Sequence, residues 1–284
     1  MAYLLALASA ALYGAADFLG GLASRRASTI AIVVVSQLAG MALLAAFLPF
    51  LPAAAPAGRD LAWGVAAGLS GGTGVALLYR ALAIGTMAVV APTTAVCAVV
   101  IPVAAGLLLG ERPAFLTGVG IVLAIVAIVL VSGQQTADGR VTPAGGGRSL
   151  PPGIALALAS GVAIGFFFLS LARTSPAAGL WPLLVARVVS VALFGAFGLA
   201  ARRGFSMPRA VLLTAVLGGV LDMLANALYL IAARQGPLSV VVTLSSLYPA
   251  STVVLARVVL HERLSFAQVV GIACAFVAVV LIVS

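Results

Sequence analysis

Three polar side chains interrupt a long apolar segment in the second half of the sequence. Asp222, Asn226 and Tyr229 follow one another at spacings of four and three residues, so they lie on one face of a helix. If that helix spans a membrane, its central aspartate costs about 2.5–3.5 kcal/mol and is expected to face a cavity or a partner. The carboxylate could balance a substrate amino group or relay a proton. It could instead be structural, paired with Arg187 or Arg257 or hydrogen-bonded to Asn226.

The composition indicates that such a helix does span a membrane. Of the 284 residues, 64% are hydrophobic and only 7% are charged, with a mean hydropathy of +1.28, whereas soluble proteins carry about 25% charged residues. The apolar segments are long and apolar on every face, unlike the alternating strands of membrane barrels. We therefore predict an all-α polytopic membrane protein. Its net charge of +9 is attributed to loop arginines rather than to nucleic-acid binding.

The pattern of apolar runs predicts ten transmembrane helices. Between the fifth and the sixth lies a Gly/Pro-rich polar segment, residues 133–151, which is typical of a linker. It separates a first five-helix unit, 1–132, from a second, 152–284. The predicted helices are 3–22, 29–51, 61–84, 87–109, 114–132, 152–172, 179–200, 209–232, 238–260 and 265–283.

The two units resemble each other along their whole length. A shift of 151 residues aligns Ser9 with Ser160, and a shift of 150 aligns Tyr79 with Tyr229. Because each unit has an odd number of helices, the second must be inverted relative to the first. Inverted repeats are a recurring plan of secondary transporters, with the substrate site near the midplane where the repeats meet.

Function is expected where the repeats differ, because a shared frame explains only what they have in common. The third and eighth helices can be compared along one face, which in both begins with glycine and ends with tyrosine. Between these ends the third helix has a glycine and an alanine, whereas the eighth has Asp222 and Asn226. The two faces are Gly68, Gly72, Ala76, Tyr79 and Gly218, Asp222, Asn226, Tyr229. On the first helix, Tyr13 and Asp17 form a second polar stripe, although Asp17 could equally have an interfacial or capping role.

Helical prolines near the fourth and ninth helix centres are accompanied by hydroxyl groups. These could bind substrate, or they could satisfy carbonyls that the prolines leave free. Thr93 belongs to this group as well. The complete set of candidate substrate-binding residues is Tyr13, Asp17, Tyr79, Thr94, Asp222, Asn226, Tyr229, Ser245, Ser246 and Tyr248.

Other features favour a structural interpretation. The pairs Glu111-Arg112 and Glu262-Arg263 occur in both repeats at helix ends, which argues against a unique chemical task. Small residues at Gly120/Ala124 and Gly271/Ala275 could serve helix packing or a dimer contact. Cys97 and Cys274 indicate neither a disulfide nor a metal site. With one histidine, His261, and no recognisable catalytic motif, we predict no enzyme activity, no metal and no cofactor.

The stretches "ALYGAADFLGGLASRR", "LLGERPAFLTGVGIVLAIVAIVLVS" and "LSSLYPASTVVLARVVLHERLSFAQVVGIACAFVAVVLIVS" resemble the EamA-type family of the drug/metabolite transporter superfamily. The resemblance covers the whole chain and implies a carrier of small metabolites in a bacterial inner membrane, often an amino-acid exporter. It also implies a cavity lined by the third, fourth, eighth and ninth helices, with the fifth and tenth at the periphery.

The sequence thus predicts a secondary transporter of small metabolites, with amino acids as the leading substrate class, that works by alternating access as a monomer or homodimer. The alternative is a proton-coupled antiporter of lipophilic cations, with Asp222 as the shared site. A membrane enzyme is the alternative from another class. The arginine distribution favours termini outside the cytoplasm, whereas the family resemblance implies termini inside.

Overall fold

The computed structural model describes residues 1–51, 54–132, 152–201, 205–259 and 266–283. The linker predicted at 133–151, the pair Glu262-Arg263 and His261 lie outside these residues. The helices are α1 (Ala2–Ser24), α2 (Thr29–Phe47), α3 (Gly58–Ile84), α4 (Met87–Leu108), α5 (Phe115–Ser132), α6 (Ile154–Ala172), α7 (Trp181–Ala200), α8 (Arg209–Ala233), α9 (Leu238–Ser245), α10 (Tyr248–Val259) and α11 (Phe266–Val283).

The predicted helix boundaries lie within a few residues of these ends. The second predicted helix stops at Phe47 and continues as a 3-10 turn, Leu48–Phe50. Eight spans are long and apolar enough to cross a bilayer, and Phe115–Ala127 and Val269–Ala278 add shorter apolar stretches in α5 and α11. The all-helical fold predicted from composition is confirmed for the described part of the chain.

The ninth predicted span is divided into two helices. α9 ends at Ser245, and α10 begins at Tyr248, directly before Pro249. Proline lacks an N–H donor and clashes with the preceding turn, so the helical hydrogen-bond ladder cannot continue through it undisturbed. In α4, by contrast, Pro92 and Pro102 lie within one continuous helix.

The helices of the two repeats are interleaved rather than side by side. α1 packs extensively on α8. Their counterparts in the other repeat, α6 and α3, pack on each other in the same manner. α2 and α7 contact each other, and α5 packs against α11. Residues of both repeats therefore surround the centre of the molecule, while α5 and α11 form a pair away from it.

Matching hydrogen bonds hold the interleaved helices together. Ser9 Oγ on α1 donates to the Ala225 carbonyl on α8 at 2.8 Å. Reciprocally, Ser160 Oγ on α6 of the second repeat donates to the Gly74 carbonyl on α3 of the first at 2.7 Å. Both the donors and the acceptors are 151 residues apart in sequence, so the two bonds are the same interaction formed twice. The frame of the protein therefore follows the internal repeat.

Candidate functional site

A cavity lies at the centre of the helix bundle, where the repeats meet. The space open to the centres of water molecules is small, about 50 Å³. The polar residues of its wall are Tyr13, Asp17, Gln37, Arg187, Ser190, Asp222, Asn226 and Tyr248.

A buried ion pair forms one side of the cavity. Arg187 on α7 donates from Nη2 to Asp222 Oδ2 on α8 at 2.6 Å, and both side chains are buried. Arg187 also donates from Nη1 to Gln37 Oε1 and from Nε to Met223 Sδ at 3.4 Å. Each nitrogen of the guanidinium thus has a protein acceptor. The structural alternative that the sequence left open for Asp222, a pairing with Arg187, is present in the structure; Arg257 lies exposed in the last turn of α10.

Asn226 connects this ion pair to α1. Its Nδ2 donates to the backbone carbonyl of Asp222, not to the carboxylate, at 2.6 Å. Its Oδ1 accepts a hydrogen bond from the Tyr13 hydroxyl at 2.9 Å. The amide orientation is therefore set by contacts on both sides, and a polar chain runs from Gln37 through Arg187 and Asp222 to Tyr13.

Two polar groups of the cavity wall lack such partners. Among the described residues, no hydrogen bond or ion pair joins Asp17 to another side chain or to the backbone, and the residue is only 7% exposed. The Tyr248 hydroxyl, at the start of α10, is likewise buried with no hydrogen-bond partner in the described part of the chain. Both residues line the same cavity.

The polar wall is made of positions at which the repeats differ. Tyr13 and Asp17 on α1 correspond to Ile164 and Phe168 on α6, which line the cavity as apolar groups. The Ser9 and Ser160 hydrogen bonds align α3 with α8 at a shift of 151 residues, so Asp222 corresponds to Gly71, another lining residue, one position from the Gly72 that the sequence alignment predicts. The symmetric frame thus encloses an asymmetric site, as the sequence comparison predicts for the third and eighth helices.

Gln37 of the first repeat and Arg187 of the second are counterparts of each other. They are 150 residues apart, and the packing of α2 and α7 shows the same shift, because the Ser36 carbonyl approaches Gly219 as the Ala186 carbonyl approaches Gly68. The two side chains hydrogen-bond to each other. A residue that touches its own counterpart lies on the pseudo-twofold axis. Sequence reasoning did not single out Gln37, although the 150-residue shift would have found it opposite Arg187. Ser190, which donates to the Gly68 carbonyl at 2.8 Å, was missed too.

The remaining candidate residues lie outside the cavity wall. Thr94 Oγ1 donates to the Ala157 carbonyl at 3.2 Å, and its counterpart Ser245 Oγ lies 3.5 Å from the Ala6 carbonyl, so the pair joins helices symmetrically. The buried Ser246 hydroxyl has no partner among the described residues.

Two of the candidate tyrosines are also packed behind the wall. Tyr229 donates to the Phe168 carbonyl at 2.9 Å, and its ring packs on that of Phe168 with centroids 4.5 Å apart. Tyr79 is buried against Gly20. The expectation that the fourth helix lines the cavity is not met in this conformation, because no described residue of α4 belongs to the wall. Its place is taken by α1, α6 and α7, which interleaving brings to the centre.

At one end of the molecule, carboxylates bridge the repeats. Glu111, after α4, accepts hydrogen bonds from the backbone N–H groups of Leu238 and Ser239 at the start of α9, at 2.7 and 2.9 Å. Acidic groups stabilise helix N-termini, so this contact agrees with the structural role predicted for Glu111. Asp60, at the start of α3, accepts from the Ser175 N–H at 2.7 Å and from its hydroxyl at 2.9 Å.

A basic group completes this end of the molecule. Arg234, directly after α8, donates from Nη2 to Thr174 Oγ1 at 3.2 Å. Partial burial lowers the pKa of the Arg234 guanidinium from its ordinary value, and the charge of the Asp60 carboxylate acts in the opposite direction.

A groove at the opposite end leads toward the cavity. It lies between the α1–α2 loop, α3 and α7, offers about 370 Å³ to the centres of water molecules, and carries Arg80 on its wall. Phe194 belongs to this groove, and its ring packs beside Gly72, which belongs to the cavity. The aromatic ring therefore lies between the two spaces.

A comparison with protein-family models identifies the architecture. The model described as the EamA-like transporter family matches residues 1–133 and again residues 151–284. The chain belongs to the EamA-like transporter family. The two matches show that the chain is built from two copies of one EamA unit. It is therefore a multi-pass membrane protein of a transporter family.

Solved structures share the fold at low sequence identity. Among the 27 chains that match, one described only as "Crystal structure of protein" is 18% identical, with 96% of each chain covered and a TM-score of 0.70. At this identity the likeness establishes the fold alone. The search of curated proteins finds no match to this chain.

Proposed function

We propose that the protein is a secondary transporter that exports small metabolites, with amino acids as the leading substrate class, across a bacterial inner membrane. The observation that carries the proposal is the central cavity, whose polar groups occupy positions at which two otherwise matching repeats differ. A purely structural core would have no need to concentrate its charged groups there, because buried charges are costly and usually mark a functional site.

The proposed mechanism is alternating access by relative motion of the repeats. Carboxylates bridge the repeats at one end, and the groove beside Phe194 offers a path from the other. Opening toward either side must enlarge the cavity to admit a substrate. Tyr13, Asp17, Asn226, Tyr248 and the Arg187–Asp222 pair are the groups that a substrate would contact. Thr94, Tyr79, Tyr229, Ser245 and Ser246 would act by packing in this conformation.

The experiment is transport by the purified protein in proteoliposomes. Radiolabelled leucine and radiolabelled tetraphenylphosphonium are supplied separately, each with and without a pH gradient, and protein-free liposomes measure leakage. The proposal predicts leucine flux that depends on the protein. Absence of flux for a panel of labelled amino acids, with tetraphenylphosphonium transported, would contradict it.

The unpartnered Asp17 favours a second candidate function, a proton-coupled antiporter of lipophilic cations. A buried carboxylate without a cationic partner can be neutralised either by a proton or by a cationic substrate, so the two could exchange at one site. In this case tetraphenylphosphonium flux would follow the imposed pH gradient and would vanish when a protonophore collapses it. Both candidate functions leave the protein as a carrier without enzyme activity, in monomeric or homodimeric form.

A further inference from the structure

The charges of the cavity do not balance within the protein. The Asp222 carboxylate is matched by the Arg187 guanidinium at 2.6 Å, and the other two guanidinium nitrogens donate to Gln37 and Met223. Asp17 faces the same space with no basic partner among the described residues. With both carboxylates ionised, the cavity carries one uncompensated negative charge, and that charge is on Asp17.

The position of Asp17 argues against a role in capping its helix. It lies well inside α1, which ends at Ser24, and an acidic group in the second half of a helix is disfavoured by the helix dipole. It also accepts no hydrogen bond from a backbone N–H of the described residues. The capping alternative that the sequence left open therefore has no structural support.

The surroundings of Asp17 are suited to an organic cation. The Tyr13 ring lies one turn away on the same helix, with its centroid 5.9 Å from that of Phe168 and 6.4 Å from that of Tyr248. Aromatic faces attract ammonium groups, most strongly where water is excluded. The Tyr248 hydroxyl, buried without a partner, supplies a polar atom on the same wall.

We propose that Asp17, with Tyr248 and the aromatic rings of Tyr13 and Phe168, is the subsite that binds the ammonium group of the substrate. Asp222, in contrast, holds Arg187 in place. The inference rests on the proposed carrier function and deepens it, because it names the charged group that the substrate must possess. Compounds with an ammonium group bind whether or not they carry a carboxylate, and carboxylates without an ammonium group do not.

The experiment compares three probes that share one side chain: leucine, leucinamide and 4-methylpentanoate. Binding to the detergent-purified protein is followed by the ligand-induced rise in melting temperature, and competition is followed against labelled leucine in proteoliposomes. The wild type is expected to bind leucine and leucinamide and to ignore 4-methylpentanoate. Binding of 4-methylpentanoate, or failure of every ammonium probe to bind, would overturn the inference.

Two variants test the assignment to Asp17. Asp17→Asn is expected to weaken leucinamide binding by about tenfold to a hundredfold, since a hydrogen-bonded charged contact is lost. It should fold normally, because no internal bond is broken. Asp17→Glu, which keeps the charge, is expected to restore part of the affinity. Tyr248→Phe should weaken binding by about twofold to tenfold.

A control and a counter-test complete the design. Thr214→Ala removes a hydroxyl that bonds only within α8, to the Ala210 carbonyl, and should bind like the wild type. Unchanged leucinamide binding by Asp17→Asn, or a larger loss in folded Asp222→Asn than in Asp17→Asn, would overturn the inference. Leucine transport by the wild type in that event would leave the carrier function standing. Binding without any transport would instead contradict the carrier function alone.

Discussion

The two repeats form the same hydrogen bonds in the frame and different ones in the cavity. Ser9 and Ser160 bond equivalent carbonyls in opposite repeats, whereas Asp222 forms an ion pair at a position where the first repeat has a glycine, Gly71. The comparison separates two requirements on one sequence. Equivalent bonds hold the interleaved helices of the two repeats together, and divergent positions give the central cavity its chemistry.

Removal of one partner of the buried ion pair is expected to have the largest effect on stability. Asp222→Asn leaves the Arg187 guanidinium buried with neutral acceptors, which should cost about 3–5 kcal/mol. The melting temperature of the purified protein in detergent measures the loss. The double variant Arg187→Gln/Asp222→Asn removes both charges and should recover most of it. If Asp222→Asn has the melting temperature of the wild type, the ion pair contributes nothing to the stability of the protein.

A methyl group should have unequal effects at Gly68 and Gly218, the two glycines that the 150-residue sequence alignment pairs. At Gly68 it would meet the Ala186 carbonyl oxygen at 2.6 Å and Val189 Cβ at 2.7 Å, whereas at Gly218 the nearest atom is 3.5 Å away. Gly68→Ala should therefore destabilise by about 1–3 kcal/mol. Gly218→Ala should be neutral or slightly stabilising, since alanine favours helices. Equal changes in melting temperature would contradict the difference in packing.

Loss of either frame hydroxyl should have a moderate and similar effect. Ser9→Ala and Ser160→Ala each remove one buried hydrogen bond, at an expected cost of about 0.5–1.5 kcal/mol. The measurement is again thermal unfolding, with the two variants purified in parallel. A clear difference between them would mean that one of these bonds belongs to the asymmetric site rather than to the shared frame.

The smallest effects are expected from the long hydrogen bonds of the fourth and ninth spans. Thr94→Val and Ser245→Ala remove contacts of 3.2 and 3.5 Å, and polar contacts between membrane helices average about 0.6 kcal/mol. Because neither side chain lines the cavity, the KM for transport should stay unchanged. A shift in KM with normal melting would restore the substrate-binding role that the sequence predicts for them.

Hydropathy was sufficient to predict the helices, because a helix depends on residues near one another in sequence. Comparison of the repeats was sufficient to predict that one face of α8 is more polar than the matching face of α3. The partners of that face could not be predicted in the same way. Tyr13 reaches Asn226 only because the repeats interleave. For Asp222 the sequence left Arg187 and Arg257 open as partners, and the structure shows the pair with Arg187. The hydroxyls of Thr94 and Ser245 illustrate the opposite error. Their hydroxyl groups beside helical prolines suggested a binding site. In the structure both hydroxyls instead contact equivalent backbone carbonyls in the opposite repeat.

The contact between Gln37 and Arg187 bears on the ancestry of the chain. Two separate, identical five-helix subunits related by the same axis would place two copies of one residue there, either two glutamines or two mutually repelling arginines. An arginine facing a glutamine, with its charge directed to a single aspartate, is possible only when the two units differ in sequence. Divergence of the two halves was thus a precondition for a single charge at the axis of this protein.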